Sequence, residues 1–176
     1  AVGLGGSSWT ASAEAADVVA VVAMDSYRDL KKQLTWLGRE TGNPMLAGGA
    51  EGMLMMATQG QGLAGLDVRQ PLGLIITNDN GVIGGCGCVP AKDLDALLGS
   101  LQGLIGPVQN QDGVRRLAIP GVASADIIER DGWALISPTG MPVADDIDPG
   151  KAFETLTDDF TLALSLFPSV LPEPLR

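Results

Sequence analysis

The sequence predicts an α+β fold: a mixed, largely antiparallel sheet with helices packed mainly on one side. Three observations carry that expectation. The run Asp17–Met24 is unbroken apolar residues after its first position and rich in Val, the pattern of a strand buried on both faces. Two later stretches repeat apolar residues at helical spacing. Between two further strand-like runs lies Asn78-Asp79-Asn80-Gly81, whose Asn-Gly pair tolerates the positive φ of a tight hairpin turn.

In chain order, Ser26 stands three residues before Asp29, so its hydroxyl can accept from a first-turn amide and open a helix. Tyr27, Leu30, Leu34 and Leu37 continue it at helical spacing, while Arg28, Lys31, Lys32 and Arg39 lie mostly off that stripe. Gly42-Asn43-Pro44 ends it. A second helix covers Met45 to Thr58. Gly48, Gly49 and Gly52 weaken it intrinsically, so tertiary packing must hold it, with another backbone approaching closely at those glycines. A Gly- and Leu-rich loop follows, to Arg69-Gln70-Pro71. Strands Leu72 to Thr77 and Val82 to Val89 then make the hairpin.

Pro90 to Asp93 opens the clearest helix, in which Leu94, Leu97, Leu98, Leu101, Leu104 and Ile105 fill one stripe before Gly106-Pro107. Short strands follow around Arg115 to Ile119 and Ala125 to Glu129, and Arg130-Asp131-Gly132 turns the chain into Trp133 to Ser137. An acidic stretch, Pro142 to Pro149, precedes Lys151 to Leu156 and a last strand, Phe160 to Phe167. There Leu162, Leu164 and Leu166 alternate with Thr161, Ala163 and Ser165. Strand, helices, hairpin, helix, strands is an α+β order.

Residues 1–16 read as a signal-peptide remnant or a flexible leader, because Ala11-Ser12-Ala13 and Ala13-Glu14-Ala15 both satisfy the small-x-small cleavage rule. Cleavage there removes Glu14 and takes the net charge from −10 to −10 + 1 = −9. No run reaches the ~18 apolar residues of a membrane span. The expected location is therefore periplasmic or extracellular. Residues 17–157 form the α+β module. Residues 158–176 read as a strand and the opening of a second, truncated repeat: an acidic residue, a strand and a helix-opening residue occur at Asp17 to Ser26 and again at Asp159 to Pro172. Leu171-Pro172-Glu173-Pro174-Leu175-Arg176 begins a segment rather than finishing one.

Eleven Lys and Arg against twenty-one Asp and Glu argue against nucleic acid as a partner. Zero His excludes a Ser-His-Asp triad, a His-ligated metal and an imidazole base. G-x-S-x-G, S-x-x-K and H-E-x-x-H are also missing. A hydrolase would have to use a carboxylate pair, drawn from Asp25, Asp67, Asp93 and Glu129, at fixed separation across a cleft. Gly60-Gln61-Gly62-Leu63-Ala64-Gly65 matches G-x-G-x-x-G, but a helix precedes it and a strand follows it, the reverse of the dinucleotide context, so it reads as a loop.

Cys86 and Cys88 fall on one face of a strand. They are the weak candidates for a soft-metal or redox site, yet two thiolates are half a tetrahedral set, and buried core residues are the commoner outcome. Asp145, Asp146 and Asp148, near Asp158 and Asp159, lack the EF-hand spacing and read as a solvated linker. Arg28, Lys31, Lys32 and Arg39 put four of the eleven basic residues on one helix, where they either form an ordinary charged face or dock an anionic polymer or acidic partner. No catalytic residue, no cofactor and no metal ligand beyond the two cysteines follows from these patterns.

Asp17 to Leu37, Gly62-Leu63-Ala64-Gly65-Leu66-Asp67-Val68-Arg69-Gln70-Pro71, Val89-Pro90-Ala91-Lys92-Asp93-Leu94 and Asp131-Gly132-Trp133-Ala134-Leu135-Ile136-Ser137 occur in that order. Together they resemble a planctomycete-type family of exported, multi-module bacterial proteins of unknown function. The resemblance implies export, an α+β module and tandem duplication, and brings no catalytic residue. Gly84-Gly85-Cys86-Gly87-Cys88 departs from it, where bulkier strand residues are expected. The resulting expectation is an exported, non-catalytic structural or binding module of the cell envelope, whose partner is an unidentified protein or envelope component.

Overall fold

The computed structural model describes residues 17–43, 45–79, 81–111, 114–118, 124–141, 143, 147–158 and 160–168. Residues 1–16, Asn80, Ile119, Asp145, Asp146, Asp159 and 171–176, on which some expectations rest, lie outside the described residues. Twelve elements follow one another: β1 (Asp17–Met24), α1 (Tyr27–Glu40), α2 (Met45–Ala57), β2 (Leu72–Asp79), β3 (Val82–Pro90), α3 (Leu94–Ile105), β4 (Val108–Gln111), β5 (Val114–Leu117), β6 (Ala125–Arg130), β7 (Trp133–Pro138), α4 (Pro149–Thr157) and β8 (Leu162–Leu166). The fold is α+β. The strands join in one eight-stranded sheet, ordered β4-β5-β6-β7-β3-β2-β1-β8, and the described pairs are antiparallel.

Turn chemistry places the hairpins. Gly81 has φ +89°, and its N–H donates to Asn78 Oδ1 at 2.9 Å, so the β2–β3 turn forms where Asn-Gly predicts it. Asp131 and Gly132 both take positive φ, 49° and 80°, the two-residue geometry that suits the twist of β6 and β7. Helix starts follow their caps. Ser26 accepts from the Asp29 amide at 3.0 Å, Asp93 accepts from Ala96 at 2.9 Å, and Asp148 accepts from Lys151 at 3.2 Å with Pro149 in the first turn. Each meets an amide that a helix start otherwise leaves unpaired.

Alternation along β7 assigns the two faces. Trp133 and Leu135 point to one side, where Val21, Ala23, Ile75, Cys86 and Cys88 gather under Phe153 of α4. Ala134 and Ile136 point to the other, where Leu94, Leu97 and Leu98 of α3 cover Ile127 and Leu117. α2 touches α3 and α1 rests on α2, while α4 takes the opposite face. Phe153 is fully buried and meets Trp133 edge-on, with ring centroids 5.8 Å apart. Its seat requires the glycine at 73: a Cβ there would lie 2.9 Å from the ring and 2.1 Å from the Val22 carbonyl.

Several expectations change. β1 is interior, between β2 and β8, but only its α4 side is thoroughly buried; on the other side Val22 and Met24 remain half-exposed. No backbone approaches Gly48, Gly49 or Gly52, which look onto open space. α2 is held instead by α1 along its length, where Lys31 bonds Glu51 at 2.7 Å, and by α3 at its end, where Ala57 O lies 3.0 Å from where a side chain at Gly103 would begin. Met45, Met53 and Met56 point outward. Of the glycines of β3, Gly84 is the crowded one, since a Cβ there would lie 3.1 Å from the Thr77 hydroxyl, whereas at Gly85 and Gly87 it would make ordinary contact with Leu74 and Ile136. The stretch before α4 is not simply a linker, because Val143 and Ile147 join the core under α4.

Leu97 is 4% exposed and central to the α3 cluster. Leu97→Ala is expected to cost ~2–5 kcal/mol by chemical denaturation; a loss below about half a kcal/mol would put α3 on the wrong face.

Candidate functional site

Helical geometry arranges the basic residues of α1. At about 100° per residue, Lys31, Arg28, Arg39 and Lys32 fall within one half-turn arc, bordered by Tyr27 on one side and Trp36 on the other. With Thr35 and Val68 they line an open groove of about 560 Å³. Trp36 is 56% exposed. The loop carrying Val68 is fixed there by its carbonyl, which accepts from the Arg28 N–H at 3.0 Å.

Two acids stand among these cations. Asp29 accepts from Lys32 Nζ at 2.5 Å and from Arg28 Nη2 at 3.3 Å, and takes the Ser26 hydroxyl at 2.5 Å. These donors, Lys32 first and Ser26 next, hold its carboxyl at about 2 instead of the usual 3.8. Glu51 of α2 accepts from Lys31 Nζ at 2.7 Å and raises the Lys31 ammonium. Arg39 has no ion-pair partner among the described residues. Four cations against Asp29 and Glu51 leave 4 − 2 = 2 positive charges in a chain of net charge −10. Elsewhere several cations are each matched by at least one acid: Arg116 lies opposite Asp126 and bonds it at 2.7 and 3.2 Å, Arg115 bonds Asp95 and Glu129, Lys92 pairs with Asp67 and Lys151 with Asp148.

The candidate carboxylates occupy several parts of the fold. Asp93 is the α3 cap and Asp67 pairs with Lys92. Glu129 lies on β6 and Asp25 follows β1, four strand spacings apart, or ~19 Å across the sheet at ~4.8 Å per strand. That exceeds the ~5–9.5 Å that glycosidase carboxylates span. The G-x-G-x-x-G segment is a loop whose last glycine is structural. Gly65 has φ +82°, a Cβ on it would lie 2.1 Å from Asp93 O, and its carbonyl accepts from the Lys92 and Asp93 amides.

Cys86 and Cys88 do share a face, with sulfurs 3.9 Å apart, and both are free and buried. Among the described residues no group of three or more His, Cys, Asp or Glu could hold a metal. The contact with Cys86, together with burial, pushes the Cys88 thiol upward, while the same contact lowers that of Cys86. Asp148 caps α4 through one carboxylate oxygen and pairs with Lys151.

Tyr27 and Trp36 are the groove residues that sequence reading passes over. Tyr27 belongs to the apolar stripe by spacing, and Trp36 falls outside it; only their angular positions flanking the cations mark them. Searches with this chain found no matching family model, no matching curated protein and no matching solved structure. No helix among the described residues is long and apolar enough to cross a membrane.

Because the carboxyl of Asp29 titrates lower in the fold, its contribution to stability is fully present above its ordinary value of 3.8 and lost as pH falls through about 2, as linkage requires. Asp29→Asn is expected to flatten the melting-temperature profile over that interval. Thiol labelling of the native chain is expected to leave Cys86 and Cys88 unmodified until denaturant is added; rapid native labelling would restore the redox alternative.

Proposed function

We propose that the chain is a non-catalytic binding module of an exported protein, which holds a linear, carboxylate-bearing polymer of the cell envelope along α1. The observation that carries this reading is the groove itself: a local positive excess flanked by Tyr27 and Trp36 in a strongly acidic chain. Cations attract the polymer's carboxylates, and field focusing makes such a patch effective despite the net charge. Arginine forks bind carboxylates in two-point fashion. Exposed aromatic rings supply flat apolar faces for sugar rings, and an indole N–H adds a donor.

Engagement is expected to be modest and salt-sensitive, since the groove is open and its charges are solvated. Polygalacturonate is a suitable probe. Titration is expected to perturb Trp36 fluorescence, a change abolished by Trp36→Phe. Affinity should fall as salt rises, and Arg39→Glu should weaken binding by about tenfold or more, equivalent to ~1.4 kcal/mol. Arg69→Glu, outside the groove, should have little effect. No saturable binding, or equal loss in both charge variants, would overturn the reading.

A further inference from the structure

The two ends of the sheet differ. β4 is an edge strand of four residues with Gln109, Asn110 and Gln111 exposed, and its shortness limits pairing. β8 is the opposite kind. Its leucines Leu162, Leu164 and Leu166 are 69%, 62% and 62% exposed, and Phe160 to Phe167 contains no charge in a chain with twenty-one acids. Among the described residues no strand lies on its outer side.

Its backbone is divided by parity. The Thr161 carbonyl accepts from the Asp25 N–H at 3.0 Å, and the Phe167 N–H donates to the Val19 carbonyl at 2.8 Å. Antiparallel strands alternate strictly in this respect, so odd-numbered residues from 161 to 167 bond to β1. Leu162, Leu164 and Leu166 therefore aim their N–H and C=O groups away from the sheet. Their side chains share one face, continuing rows made by Met24 and Leu72, Val22 and Leu74, and Ala20 and Ile76.

From this we infer that β8 is a self-association edge, whose occupant is the β8 of a second copy, antiparallel about a two-fold axis at Leu164. The sequence Leu162-Ala163-Leu164-Ser165-Leu166 reads the same in both directions by size, which is what a self-complementary isologous contact needs. With Leu164 facing its own counterpart and Leu162 facing the other copy's Leu166, every outward N–H meets an outward C=O. The leucines of both copies then form one continuous row. Charge permits the approach: the contact brings no acid opposite another, and the antiparallel arrangement sends Asp158 of each copy to opposite ends. A five-residue strand buries well under the ~800 Å² per partner of a standard stable interface, so the dimer is reversible and concentration-dependent.

The test uses the intact chain. Sedimentation velocity across a rising concentration series is expected to show monomers giving way to dimers. Hydrogen exchange should show the amides of Leu162, Leu164 and Leu166 becoming protected as concentration rises, whereas those of Ala163 and Ser165 are protected throughout. Leu164→Lys places like charges on the axis, and Leu164→Pro removes an outward donor without taking a bond from β1. Either should raise the midpoint concentration by about tenfold or more with circular dichroism unchanged. A chain that stays monomeric to millimolar concentration would overturn the inference. So would association without concentration-dependent protection at those amides, or association unaltered by folded Leu164→Lys; the exchange measurement on the unaltered chain decides the matter if either variant misfolds.

Discussion

The absence of a side chain at residue 73 is the constraint on which the covered half of the sheet depends. Backbone of β1 and the ring of Phe153 both occupy the space a Cβ would need. Because β2 yields there, α4 can lay Phe153 across Val21, Ile75, Cys88 and Leu135 and close against the ring of Trp133. Full burial of such a ring contributes ~1.5–3 kcal/mol by area alone. Val143 and Ile147 join the same cluster, so apolar residues interspersed among aspartates contribute to the core. Gly65 acts similarly on the other face, where its bare Cα lets a loop dock against the start of α3.

Charge is distributed by the same packing. The sheet edge near β5 and the start of α4 pair their cations with nearby acids, which leaves those regions neutral or negative. α1 differs because its cations outnumber the acids within reach. Exposed ion pairs contribute little stability, so the lysines and arginines of this helix do not hold the fold together. Their arrangement bears on what approaches the groove from solvent. The sulfurs of Cys86 and Cys88 show the converse, since nearness within the core is accounted for by packing beneath α4.

Much of the architecture was legible because local chemistry is strong where elements begin and turn. Ser26 and Asp93 announce helices through hydrogen bonds to amides two or three residues ahead, and Asn-Gly and Asp-Gly fix hairpins through backbone freedom. β4 was invisible because Val108 is its single apolar residue, and an exposed edge strand needs no buried face. The open surroundings of Gly48, Gly49 and Gly52 were equally unreadable: small residues permit close approach, but only a neighbour's position says whether it happens. In the groove the four cations were visible as a cluster. Tyr27 was absorbed into an apolar stripe and Trp36 was passed over, since both lie at the borders of the cationic arc, where spacing alone does not separate a buried ring from an exposed one.

By itself, the sequence determined the α+β class, the first three helices, the hairpins and the exclusion of imidazole chemistry, since each follows from residue identity or from interactions spanning a few positions. Tertiary structure alone decided that β8 pairs with β1, that β7, β3 and β2 lie between β6 and β1, which face Phe153 covers, and that Tyr27 and Trp36 border the cations of α1. Those outcomes join residues more than a hundred positions apart or depend on which surface water retains, and neither is written in local spacing.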